Sequence, residues 1–206
     1  MKKGERRKEE LIRIAYTKFL EKGYEQTSVD EIIGEAQIAK GTYYHYFQSK
    51  EQMLEHVVDM MLQKGSQRAA KVLDSDLPIP EKIVGIMLAF RPMEDELVIQ
   101  DTLNKSENLL LHDRVNKKLI SDAVPLLSDI VKEGIHHGVF DCEQIEERLK
   151  LILIMSSQMF DDGDFSQNEV IAFIDTVEKT LGAKPGTMGT IEKLISGGHN
   201  GNANKE

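Results

Sequence analysis

The 206-residue chain reads as an all-α protein of about nine helices, a small three-helix head followed by a larger helical bundle. Three features predict this. Apolar residues recur at spacings of three and four, and strand-like alternation is missing. Ser and Thr stand where helices begin, two of them, Ser28 and Ser49, three residues ahead of Glu or Gln. Gly and Pro fall between the periodic segments as stops.

The first helix is expected over Glu5–Lys22, with Leu11, Ile12, Ala15, Tyr16, Phe19 and Leu20 as its apolar stripe and Gly23 as the residue that ends it. Ser28 followed by Glu31 is a capping-box pattern, and Asp30 adds negative charge to the same first turn. This second helix is short and stops near Ala36. A third short helix covers about Ala39–Tyr46. Ser49, with Gln52 three residues on, opens a longer fourth helix to about Leu73, with Met53, Leu54, Val57, Val58, Met61 and Leu62 on its buried side.

Asp74–Pro80 reads as a loop because Pro78 and Pro80 interrupt a helix. Helices follow over Glu81–Phe90, Met93–Leu111 and Asp113–His137, with Pro92 as a break and Pro125 as a kink or a second start. Glu143–Phe160 and Gln167–Leu181 are the last strong helices, divided by a turn at Asp161-Asp162-Gly163-Asp164. Beyond Gly182 the sequence turns rich in Gly, Asn, Lys and Thr, the composition of a mobile tail, although Ile191–Ile195 has the pattern of a short helical turn. The expected division is therefore 1–50, 51–183 and a tail at 184–206.

Composition narrows the function classes. No Trp and 6% aromatics leave a mainly aliphatic core, with nine Met as adaptable filler. The single Cys142 cannot form an internal disulfide, which favours a reducing compartment. No signal-peptide pattern is present. Apolar runs such as Leu151–Met155 are far shorter than the roughly 18 residues of a membrane span. A soluble cytoplasmic protein with no membrane partner is expected. Net charge is −9, but unevenly spread: residues 1–50 hold 10 Lys and Arg against 8 Asp and Glu, and residues 51–206 hold 16 against 27. A mildly basic head on an acidic body can turn one end toward a polyanion.

The informative chemistry lies in residues 27–50. Two short helices joined by a tight turn make a helix-turn-helix, whose second helix offers its N-terminal residues to base edges in the DNA major groove. Here those residues are Lys40, Gly41 and Thr42. Lys40 suits guanine acceptors or a phosphate, and Thr42 a phosphate or a thymine methyl; Gly41 allows close backbone approach. Tyr44, His45 and Tyr46 combine polar donors with flat apolar surfaces. Lys50, at the start of the fourth helix, suits a phosphate. Thr27 and Ser28 can serve one phosphate and one cap. Ile38, Tyr43 and Phe47 have the spacing of buried residues, so part of the Tyr cluster is core.

This segment resembles the TetR family. The resemblance runs through Ile12, Ala15 and Phe19, Gly23-Tyr24, Thr27-Ser28-Val29, Ile32, and Lys40-Gly41-Thr42-Tyr43-Tyr44-His45-Tyr46-Phe47-Gln48-Ser49-Lys50-Glu51. It covers about a quarter of the chain in detail. It implies DNA contacts at Thr27, Lys40, Gly41, Thr42, Tyr44, His45, Tyr46 and Lys50, with Tyr43 packed inward. One departure is Gln37, where the family usually has Gly in the turn. A side chain there must adopt a left-handed backbone, at a cost of about 1 kcal/mol.

The resemblance also implies a ligand-binding and dimerisation domain at 51–183, pairing through the helices near 143–160 and 167–181. Both carry apolar residues on more than one face, which fits a twin helix on one side, although burial inside a monomer core explains the same pattern. A two-fold dimer implies a palindromic operator. Met60, Met61, Met87, Phe90, Met93, Leu110, Leu111, Met155 and Met159 are candidates for lining an adaptable apolar pocket for a small-molecule effector, each of them equally at home in ordinary core. A repressor released by a mostly apolar ligand is the expected function. No cofactor and no metal are expected: His136, His137, Asp141 and Cys142 lie near one another, but adjacent histidines point to different sides of a helix. Cys142 alone is a candidate redox sensor. An enzyme is the weakest alternative, since GxGxxG, Walker, HExxH and GxSxG patterns are missing and Gly182–Thr187 resembles a phosphate loop only superficially. The other alternative, a helical adaptor that does not read DNA, is disfavoured because Lys40, Thr42, Tyr44 and Lys50 all retain groups suited to DNA.

Overall fold

The computed structural model describes residues 3–160 and 165–189. Among these, nine α-helices and two short 3-10 turns occur, and no strand. The helices are α1 (Lys3–Lys22), α2 (Val29–Glu35), α3 (Lys40–Tyr46), α4 (Lys50–Leu73), α5 (Ile79–Ala89), α6 (Leu97–Leu103), α7 (Leu109–His136), α8 (Ile145–Phe160) and α9 (Gln167–Leu181). The expected Asp161–Asp164 turn, the helical turn at Ile191–Ile195 and the tail from 190 onward lie outside the described residues. No helix of the described residues is long and apolar enough to cross a membrane.

The chain divides into two compact units. One comprises Met1–Lys64 with Arg91–Val115, the other Gly65–Phe90 with Asn116–Glu206. The first has a core of Leu11, Ala15, Phe19, Ile32, Tyr43, Phe47, Met53, Leu54, Val57 and Val58, which Ile99, Leu103 and Leu111 join. Thus α1, α2 and α3 share a core with α4 and a later segment. Polar contacts bind that segment to α1 and to the α1–α2 connection: the Tyr16 hydroxyl donates to the buried Glu96 carboxylate at 2.8 Å, and Lys105 pairs with Glu25. In the second unit, Ile86, Ile130, Val131, Leu149, Phe173 and Val177 centre the core. There the buried Lys82 of α5 meets Glu133 of α7 at 3.3 Å.

Helix ends follow the sequence signals closely. Gly23, Gly138 and Gly182 all take positive φ at the ends of α1, α7 and α9. Ser28 and Ser166 each form a complete capping box, with Glu31 and Glu169. Three expectations need correction. Met93–Leu111 is not one helix: α6 stops at Leu103, Lys105 is extended, and the Asn108 amide donates to the Thr102 carbonyl, consuming an acceptor at the helix end. α7 then begins at Leu109 and runs unbroken through Pro125, so that proline starts no second helix. The loop after α4 is shorter than expected because Pro80 sits in the first turn of α5, where its missing N–H has no intrahelical role.

The beginning of the expected tail is packed. The buried Glu178 carboxylate of α9 accepts the amides of Gly186 and Met188, and the Met188 side chain is fully buried.

Candidate nucleic-acid interface

The helix-turn-helix is built from backbone chemistry outward. At the end of α2 the Ile38 amide donates to the Ile33 carbonyl and the Gln37 amide to the Gly34 carbonyl. These paired bonds make a Schellman turn, in which the residue after the cap is left-handed. That residue is Gln37, with φ 51. Ile33 and Ile38 both pack on the head core, giving the turn its apolar clasp. α3 follows with Tyr43 and Phe47 fully buried. Burial pushes the Tyr43 phenol up to about 12.

Anchoring of Tyr43 and Phe47 leaves Lys40, Gly41, Tyr44 and His45 on the exposed side of α3, with Thr42 and Tyr46 half-buried beside them. Tyr44 stands edge-on to Tyr43, ring centres 5.4 Å apart, and His45 likewise to Tyr46 at 5.0 Å. A Cβ at Gly41 meets nothing within 4 Å, so the glycine is not required by the chain's own packing. Lys40 Nζ bonds Asp30 of α2 at 3.0 Å, and this carboxylate holds the ammonium above its ordinary range. Sequence spacing alone did not single out that partner, because residues 30 and 40 sit on different helices.

The remaining expected residues are placed differently. Thr27 is buried, and its hydroxyl donates to the Gly23 carbonyl at 2.9 Å, fastening the α1–α2 connection. Ser28 spends its hydroxyl in the capping box. The partner carboxylate, Glu31, is pulled down to about 2 by hydrogen bonds from Lys22 and from the Ser28 amide and hydroxyl. Lys50 Nζ donates to the carbonyls of Tyr24 and Thr27 at 2.9 and 3.1 Å and lies 4.1 Å from the centre of the Tyr24 ring. It ties α4 to the α1–α2 connection, a structural duty the sequence reading did not assign.

The family model described as bacterial regulatory proteins, tetR family, matches residues 11–57, from α1 into α4. The HTH-type transcriptional repressor KstR2 of Mycolicibacterium smegmatis is 32% identical over 139 residues, covering 65% of this chain and 67% of that protein. The chain belongs to the TetR family. It is thus a helix-turn-helix transcriptional regulator, and α3 lies within the residues that the family model matches. Among solved structures, RolR without ligand matches with a TM-score of 0.61 at 20% identity, over 91% of this chain and 95% of that one. RolR in complex with resorcinol matches with a TM-score of 0.60, at 20% identity over 94% and 95%. A TetR-family regulator from Mesorhizobium loti matches with a TM-score of 0.58 at 16% identity, over 88% and 98%. At these identities the structures establish the shared fold.

The nine candidate effector-lining residues are not gathered into one core. Met61 and Leu111 are buried in the first unit, while Met93 and Leu110 are exposed. Met87, Phe90, Met155 and Met159 share the core of the second unit, and Met60 belongs to neither core. Around Cys142, burial pushes the thiol up. His136 and His137 face each other edge-on, and no group of three or more metal-ligating side chains occurs among the described residues.

Proposed function

We propose that this TetR-family regulator is a ligand-responsive repressor that binds a palindromic operator as a homodimer. DNA reading falls to residues 1–50, and effector binding and dimerisation to 51–183. Lys40, Gly41, Thr42, Tyr44, His45 and Tyr46 make the contacts to DNA. Lys40 and Tyr44 carry most of them, Lys40 exchanging Asp30 for a base edge or phosphate. Thr27, Ser28 and Lys50 act in the same interface by fixing the α1–α2 connection beside the approaching phosphates.

The observation that carries this reading is the exposed edge of α3. It presents Lys40, Gly41, Tyr44 and His45 to solvent, while Tyr43 and Phe47 on the opposite edge are fully buried. For the dimer, support comes from large apolar side chains on the outer faces of α8 and α9: Leu151 is 66% exposed, Ile154 49% and Ile171 47%. For the effector, support comes from the Met87, Phe90, Met155 and Met159 group, whose flexible side chains adapt to an apolar guest. RolR's resorcinol complex shows that a protein of this fold takes a small molecule. Effector that binds better to a conformation with misplaced heads must lower operator affinity by linkage.

The test is a gel-shift titration against DNA from upstream of the protein's own gene, at two salt concentrations. Lys40→Ala and Tyr44→Ala proteins are run beside the wild type. A salt-sensitive shift lost in both variants is expected. Failure of the folded wild type to bind that DNA or any duplex selected from a random library would sink the proposal.

A further inference from the structure

The family-matched part of the head is poor in the charge that DNA binding needs. Residues 11–57 hold five Lys and Arg against seven Asp and Glu. Four of the five cations are already engaged. Lys18 pairs with Glu21 and Glu35, Lys22 with Glu31, Lys40 with Asp30, and Lys50 with backbone carbonyls. Even when Lys40 leaves Asp30 for DNA, the carboxylate remains beside the phosphates. Protein–DNA affinity rests heavily on neutralised phosphates, so the matched region by itself is a poor binder.

The missing charge lies just outside it. Residues 1–10 hold five Lys and Arg against three Glu, which is all of the head's net positive charge. Residues 3–10 form the first turns of α1, ahead of the residue where the family match begins. These turns lie against the C-terminal end of α3. A Cβ at Gly4 comes within 3.6 Å of the Tyr46 hydroxyl, and Lys8 Nζ is 5.6 Å from the centre of the Phe47 ring. Arg7 and Lys8, three and four residues after Gly4, stand on the same side of the helix as that contact. Arg6, two residues after it, stands on the opposite side. Arg7 is held by Glu10 in a solvent-exposed pair that a phosphate can replace.

We propose that Arg7 and Lys8 form a second DNA contact, binding backbone phosphates beyond the end of α3 opposite to Lys40. The side chains make this site, not the helix end. It adds affinity without sequence information. Base reading at the start of α3 and phosphate anchoring at its other end then fix the helix along the groove. This inference rests on the proposed DNA-reading role.

The test measures the slope of log affinity against log salt for the wild type, the Arg7→Gln/Lys8→Gln double variant and Arg6→Gln. Each protein is titrated on a duplex selected by the wild type and on a scrambled duplex. Gln retains the aliphatic stems, and circular dichroism melts confirm the fold. Each lost phosphate contact lowers the slope by about 0.9. The double variant should lose slope by about that amount per residue on both duplexes, with affinity reduced about ten-fold or more at low salt, while Arg6→Gln stays close to wild type. A wild-type slope in the double variant, or an equal loss in Arg6→Gln, overturns the second contact alone. A wild type that binds neither duplex overturns the DNA-reading role together with it.

Discussion

Single residues in the α2–α3 turn show how the head trades local strain for shape. Gln37 carries φ 51, a conformation that a Cβ disfavours. Replacing it by Gly relieves the clash but gives the unfolded chain more freedom, so the gain is modest. Gln37→Gly is expected to raise stability by about 0.5–1 kcal/mol in urea unfolding. Gly41 presents the opposite case. It lies inside α3, where Gly costs about 1 kcal/mol relative to Ala, and open space surrounds it. Gly41→Ala should therefore stabilise the protein while weakening operator binding; unchanged affinity would remove Gly41 from the interface. Glu31 sets an acid limit. Its carboxyl falls from 4.5 to about 2 on folding, so its contribution is complete above about pH 4.5 and is lost as pH falls toward 2. Stability measured at pH 5 and pH 3 should drop less in Glu31→Gln than in the wild type.

At the level of elements, what the sequence made legible was whatever depends on neighbours along the chain. The capping boxes, the glycine stops and the α1, α4 and α9 stripes are local patterns, and their helices stand within a residue or two of expectation. The break at Asn104–Lys105 was hidden because Met93–Leu111 keeps an apolar rhythm across it, while the Asn108–Thr102 bond and the Lys105 and Asn108 backbone amides hold the interruption. Lys50 looked like a phosphate ligand for a related reason: its three carbonyl acceptors come from residues more than twenty positions earlier. The docking of 184–189 was equally non-local, since composition there signals a tail while Glu178 supplies the acceptors. The turn after α9 is the tightest such junction. Gly182 has φ 65, and a Cβ on it falls 2.0 Å from the Asp141 carbonyl oxygen. Gly182→Ala must shift backbone as well as accept a left-handed conformation, and a loss of about 3 kcal/mol or more is expected in denaturant unfolding. A change under about 1 kcal/mol would mean that the junction yields easily.

Across the whole molecule, the proposed function depends on bringing two heads to one stretch of DNA. One head makes few base contacts, and the charge available to it is small, so a single copy binds weakly. Doubling the contacts on a two-fold axis makes the second head's binding intramolecular and raises affinity without new chemistry. This places the burden on α8 and α9. Ile152 and Leu153 are buried within their own unit, whereas Leu151, Ile154 and Ile171 project outward. If these outward residues meet a second copy, a charge there opposes assembly and leaves each copy's core intact. Leu151→Glu and Ile171→Glu together should convert a dimer to a monomer in analytical ultracentrifugation, with helical content retained. Operator binding should then fall by about 10²-fold or more, with each half-site still recognised weakly. A doubly substituted protein that stays dimeric and binds the operator as tightly as wild type would place the dimer interface elsewhere.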